Sequence, residues 1–157
     1  MSEIDALLNI YAMQQKQHDS WIYGRHKTMT ILEHGTINSS YKKVLKSAVD
    51  VYHDDKKIAT LTALWDTGTT YSGISRKYVK DFEPIEDSEY TTYGLNGFQE
   101  THDYLVDLVI DETIRINNIE VGALEFNQIH DCELLIGMDI IRQGTLEIHD
   151  GFFSFKI

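Results

Sequence analysis

Asp66, Thr67, Gly68, Thr69 and Thr70 follow directly on the apolar run Ala63-Leu64-Trp65. A strand of β-formers thus delivers a carboxylate to the mouth of a tight loop, and Gly68 lets the backbone turn where a Cβ would crowd it. The hydroxyls of Thr67, Thr69 and Thr70 surround the acid with groups that donate or accept hydrogen bonds. One carboxylate that takes a proton from water, with a second, protonated one that polarises a carbonyl, can cut a peptide bond without a covalent intermediate. Two carboxyls about 3 Å apart cannot both ionise, so such a pair shares one proton and titrates as a unit.

An Asp-x-Gly triplet alone is a weak signal, because both residues are favoured in ordinary turns. The context adds to it. Leu134-Leu135-Ile136-Gly137-Met138-Asp139 is a second apolar run that ends in glycine. Together with Thr67-Gly68-Thr69-Thr70-Tyr71-Ser72-Gly73-Ile74-Ser75 it resembles the retropepsins, the single-domain aspartic proteases of retroviruses, retrotransposons and their cellular and bacterial relatives. The resemblance runs from about residue 44 to the end of the chain. It implies a mainly β fold: a closed barrel with a flap hairpin and one or two short helices. It also implies Asp66 as the catalytic acid and Thr67, Gly68 and Thr69 as its supporting loop. Leu135, Ile136 and Gly137 would thread beside that loop and wall the cleft.

Two residues depart from the usual pattern of that family. Thr69 stands where Ala or Ser is common and keeps the hydroxyl, placed to bond the outer carboxylate oxygen of Asp66. Gly73 stands where an apolar side chain is usual. The chain has a single Asp-Thr-Gly, so the second acid must be Asp66 of another copy across a two-fold axis, with Thr67 bonding across it. The expected partners are therefore a second copy and a peptide or protein substrate. A relative that keeps the fold as a peptide-binding or dimerisation module without turnover is the alternative.

Bulk composition narrows the rest. The 157 residues suffice for one domain with a real core, and the net charge of −11 opposes nucleic-acid binding. Cys132 stands alone, so no internal disulfide forms. The N-terminal stretch, acidic at Glu3 and Asp5, has neither signal-peptide nor membrane-span character, which gives a cytoplasmic expectation. His130-Asp131-Cys132 lacks a second ligand cluster at zinc spacing, so no metal or other cofactor is expected.

The elements that must position these residues read as follows. Residues 1–40 form an extension: Ile4, Leu7, Leu8 and Tyr11 share helical spacing behind Ser2, and an irregular stretch follows with one strand near Thr28 to Leu32. From 41 the protease-like domain begins, with Lys42, Lys43 and Lys46 on a solvated strand edge. Strands Val44 to Tyr52 and Lys57 to Trp65 make a hairpin that ends on Asp66. Ser75 caps a short helix through Phe82. Tyr93, Gly94, Leu95, Asn96 and Gly97 form the tip of a hairpin where the resemblance places the flap. Tyr104, Val106, Leu108 and Ile110 mark a buried strand face. Turns at Asp111-Glu112-Thr113 and Asn117-Asn118 separate further strands, the last of them Leu124 to Phe126. Asp139 caps a helix from Ile140 to Gln143, and a hairpin around Asp150-Gly151 ends the chain. Its Phe153, Phe155 and Ile157 need cover, which the resemblance assigns to the dimer interface.

Overall fold

The computed structural model describes residues 29–94, 97–126 and 131–157, with the backbone alone at 90, 92–94 and 97–99. The expected helix near the N-terminus, Leu95, Asn96 and His130 lie outside the described residues. Alternating apolar and polar residues sort the described chain into twelve strands. They are β1 (Thr30–Glu33), β2 (Thr36–Ser40), β3 (Lys46–His53), β4 (Lys56–Trp65), β5 (Gly73–Ser75) and β6 (Tyr90–Gly94). After these come β7 (Gly97–Thr101), β8 (Asp103–Ile110), β9 (Ile114–Leu124), β10 (Leu134–Ile136), β11 (Thr145–His149) and β12 (Phe152–Lys156). A single α-helical turn, α1 (Met138–Ile141), follows β10.

Six strands in the order β9-β5-β10-β4-β3-β8 close into a barrel, because β8 pairs back onto β9, and β1 extends the same sheet along β9. The β3–β4 hairpin forms where the sequence places it. Asp54 and Asp55 take positive φ angles of 48° and 63°, the pair of left-handed residues that a tight two-residue hairpin requires. Inward residues of this hairpin, Val49, Val51, Leu61 and Ala63, meet Leu108, Ile110, Leu134 and Ile136 in the barrel core. Full burial of such side chains, at about 1.5–3 kcal/mol each, is the main stabilising term. A second sheet, β11-β12-β2, covers one part of the barrel, and β6-β7 forms a separate two-stranded ribbon.

Several local expectations change in three dimensions. Among the described residues, β1 pairs with β9 and β2 with β12, so residues 30–40 carry two strands where an irregular stretch with one is expected. Lys42 and Lys43 lie in a bend between β2 and β3, not on a strand. The helix expected after Ser75 is only a 3-10 turn, Arg76–Tyr78, and Ser75 makes no side-chain cap bond because it is still pairing in β5. It does bury Val79, with Tyr78 and Phe82 half-buried. Residues 125 and 126 do not continue the strand that ends at Leu124. Phe153 and Phe155 are fully buried within the chain, so their cover is the barrel and not a second copy.

Asn117-Asn118 is a β-bulge and not a turn. Val106 pairs with Ile119 and Leu108 with Ile116, leaving Asn117 and Asn118 opposite Asp107 alone. The reason is phase. Ile114 and Ile116 point inward, as do Ile119 and Val121, and strict alternation cannot satisfy both pairs without one extra residue. Asn118 absorbs it at φ 58°, and its N–H donates to Asp107 Oδ1 at 2.8 Å. Asp107→Ala leaves that half-buried N–H without its acceptor and is expected to destabilise the barrel by about 1 kcal/mol in urea unfolding. Asp107→Asn, which keeps a carbonyl oxygen there, should lose less.

Candidate active site

Strand β4 ends at Trp65 with Asp66 next, and the acid's own N–H donates to the Ile136 carbonyl at 2.9 Å. The loop then closes on itself: Thr69 N–H donates to Asp66 O at 3.2 Å. Both carboxylate oxygens are engaged from within this loop. Gly68 N–H donates to Oδ1 at 2.8 Å and Thr69 Oγ1 donates to Oδ2 at 2.9 Å. Asp66 is half-buried, while Thr67 and Gly68 are exposed. A Cβ at residue 68 would sit 3.2 Å from Oδ1, tighter than ordinary contact, so glycine permits the approach. The arrangement fixes one carboxylate in a partly shielded position and leaves the apex of its loop open.

Strand β10 runs between the two strands that flank this loop. Leu135 pairs with Leu64 of β4 and with Gly73 of β5. At its end Gly137 passes under the loop so closely that an added Cβ would lie 2.8 Å from Tyr71 C and 2.9 Å from Thr69 O, both backbone atoms. Backbone bonds tie the crossing: Met138 N–H to Thr69 O at 2.7 Å and Asp139 N–H to Thr70 O at 3.0 Å. Of the expected cleft-wall residues, Leu135 is half-buried and able to line a cleft, but Ile136 is fully buried in the core. Successive strand residues face opposite sides, so the two cannot share one role.

Behind the crossing sits a polar network that sequence reasoning did not foresee. Asp139 is 4% exposed and is not the helix N-cap, which is Gly137. Its Oδ1 accepts from Ser72 Oγ at 2.7 Å and from Ile140 N–H at 2.9 Å, and its Oδ2 accepts from Ser72 N–H at 3.0 Å. Ser72 Oγ in turn accepts from Gly137 N–H at 3.1 Å. A buried carboxylate is tolerated only when its acceptor sites are filled in this way. The signal was there to find: an acid directly behind an apolar run, in a position that proves buried, needs partners from elsewhere.

Gly73 has a packing reason. The place of its missing side chain is taken by Leu124, whose Cδ1 lies 2.3 Å from where a Cβ would be. Ahead of β10, Glu133 binds Lys77 and accepts from the Tyr78 hydroxyl, joining the start of that strand to the 3-10 turn. Lys77 chiefly, and Tyr78 next, hold the Glu133 carboxyl below the usual carboxylate range. Burial, then the bond to Glu133, pushes the Tyr78 hydroxyl up.

Strands β6 and β7 form a hairpin at the position where the flap is expected, and its last described pair is Gly94 with Gly97, preceded by Tyr93 with Phe98. Its base is pinned by Thr101 Oγ1 donating to Ala123 O at 2.6 Å and by Arg76 Nη2 donating to Glu100 O at 3.1 Å. The structure thus brings Asp66, Gly68, Thr69, Leu135 and Gly137 into one node, with Tyr93, Gly94 and Gly97 on a separate ribbon. No cluster of three or more metal-ligating side chains occurs among the described residues.

A solved structure of a retropepsin-like aspartic protease from Rickettsia conorii matches with a TM-score of 0.52 at 14% identity, over 80% of this chain and 93% of that one. A simian foamy virus protease matches with a TM-score of 0.44 at 16% identity, over 62% and 92%. A Legionella pneumophila protein of unknown function gives 0.40 at 18% identity, over 62% and 84%. No protein-family model and no curated protein matches the chain. The likeness to the Rickettsia structure shows the fold: this chain folds as a retropepsin-like β-barrel.

Two outcomes follow from the packing and charge around the node. Gly73→Ala drives a Cβ into Leu124 and is expected to cost about 1–3 kcal/mol in thermal or urea unfolding. In a double-mutant cycle with Leu124→Ala the two changes should couple favourably by about 1 kcal/mol. Glu133, with its folded-state pKa depressed, contributes stability above the ordinary carboxylate pKa and loses it as pH falls through the folded value. The melting temperature of Glu133→Gln should therefore lie below wild type at pH 7, and the gap should close toward pH 3. It should be small and shrink with salt, because the pair is partly exposed.

Proposed function

We propose that this chain is an aspartic endopeptidase whose active site assembles from two copies, each contributing one Asp66. The observation that carries the reading is the hydrogen-bonded carboxylate itself. Asp66 is half-buried, with each oxygen held by a donor of its own loop, at the crossing of two apolar threads in a retropepsin-like barrel. An acid positioned this firmly and left partly open is suited to proton transfer. The second carboxyl that peptide hydrolysis needs comes from the partner copy, since the chain has one Asp-Thr-Gly.

In this reading the pair of Asp66 carboxyls carries one proton. The ionised member takes a proton from water as the water attacks the scissile carbonyl carbon, and the protonated member donates to the carbonyl oxygen. Thr67, exposed at the apex of the loop, meets its counterpart across the two-fold axis and fixes the loops against each other. Substrate lies extended between Leu135 and the β6–β7 hairpin. Main-chain bonds supply affinity there, and pockets read alternate side chains. Tyr93, Gly94, Leu95, Asn96 and Gly97 form the closing flap, their glycines allowing it to move. The reading places the protein in the cytoplasm, in keeping with a lone, buried Cys132. No helix among the described residues is long and apolar enough to cross a membrane.

Purified protein incubated with a peptide library from pH 4 to 7 should cleave, and Asp66→Asn should reduce cleavage to background. Sedimentation run in parallel should show activity per molecule rising with the dimer fraction. Cleavage retained in Asp66→Asn, or by a protein that stays monomeric, would overturn the assignment. Silence of a well-formed wild-type dimer would favour a peptide-binding module.

A further inference from the structure

Trp65 stands immediately before Asp66, and its side chain is nearly closed to solvent, 4% exposed. A leucine or phenylalanine would fill such a site as well. An indole brings an N–H that must find a partner once buried. The partner is Ser47 of β3, itself buried: Trp65 Nε1 donates to Ser47 Oγ at 2.7 Å. The ring also lies tilted on two phenylalanines of β12, with centroid distances of 4.8 Å to Phe155 and 5.6 Å to Phe153. Trp65 and Ser47 belong to the barrel, whereas β12 belongs to the second sheet.

Phe155 has another neighbour in the site's architecture. A Cβ at Gly144, just past α1, would fall 2.8 Å from Phe155 Cζ. One ring therefore packs against the residue before the acid and against the chain that leaves the Gly137 crossing. The main chain here is fixed by Trp65 N–H to Leu45 O and Asp66 N–H to Ile136 O, each at 2.9 Å. These in-plane bonds resist a roll of the strand end about its own axis, and side-chain packing above and below the sheet adds to that resistance. The Trp65 side chain, bonded on one side and packed on the other, opposes that roll.

We infer that Trp65, clamped between Ser47 and the Phe153–Phe155 pair, is a positioning residue for Asp66, through which the C-terminal sheet sets the orientation of the carboxylate. Its consequence for turnover rests on the proposed role of Asp66; its consequence for loop geometry does not. The loop bond from Gly68 N–H to Asp66 Oδ1 gives a probe that needs no catalysis.

The test compares wild type, Ser47→Ala, Ser47→Thr and Phe155→Leu well below their unfolding midpoints, by peptide cleavage and by amide resonances. In Ser47→Ala, kcat should fall about 10- to 100-fold with KM within about twofold, the mark of misplaced chemistry and not of lost binding. The Gly68 and Thr69 amide resonances should move in Ser47→Ala and Phe155→Leu, while those of Val109 and Ile110 stay in place. Ser47→Thr, which keeps the hydroxyl, should recover most of both readouts. Wild-type kcat with an unmoved Gly68 amide in Ser47→Ala would overturn the inference. So would amide shifts spread evenly through the core with kcat per folded dimer unchanged, which mark a purely structural role. If wild type cleaves no peptide, the proposed function fails alone, and the Gly68 and Thr69 amides still decide the placement.

Discussion

The crossing at Gly137 is the constraint on which the site depends. Two segments distant in sequence pass within backbone contact of each other, and no side chain larger than hydrogen fits between them. Close approach makes possible the short amide bonds from Met138 and Asp139 to the Thr69 and Thr70 carbonyls, and these hold the loop that presents Asp66. A loop held only by its own ends would sample several shapes at little cost. One bonded along its length to a buried strand and helix start does not, because leaving the shape exposes buried polar groups.

Two carboxylates near this crossing show how burial separates roles. Asp139 is nearly inaccessible and accepts from Ser72 and from Ile140 N–H, so it acts as a staple between Ser72 and the α1 turn. Asp66 is half-buried and takes two donors, so acceptor capacity and access to solvent remain. The residue type is the same and the surroundings assign the work. Asp139 fixes the shape on which Asp66 depends, while Asp66 keeps a face open to solvent.

The barrel accommodates these demands by small departures from regular strands. The bulge at Asn118 resets the inward phase of β9 so that Ile116 and Ile119 both reach the core. Gly73 gives up its side chain and Leu124 fills the place, which keeps β5 against β10 and β9. The second sheet buries Phe153 and Phe155 against Trp65, directly before the acid. Each device solves a local packing problem, and each lies within a few residues of, or in contact with, the strands that frame Asp66.

By itself the sequence determined the features that depend on near neighbours. The β3–β4 hairpin follows from its Asp54-Asp55 turn, the buried face of β8 from period-two alternation, and the two motifs from the order of their residues. These are legible because turn chemistry and alternation act over two to five positions. Tertiary structure decided what depends on a distant partner: Ser72 for Asp139, Leu124 for Gly73, Asp107 for Asn118 and the barrel for Phe155. It also sent Ile136 to the core while its neighbour Leu135 stayed half-exposed. Alternation says that two residues face opposite ways, but only the strands on either side decide which face is closed.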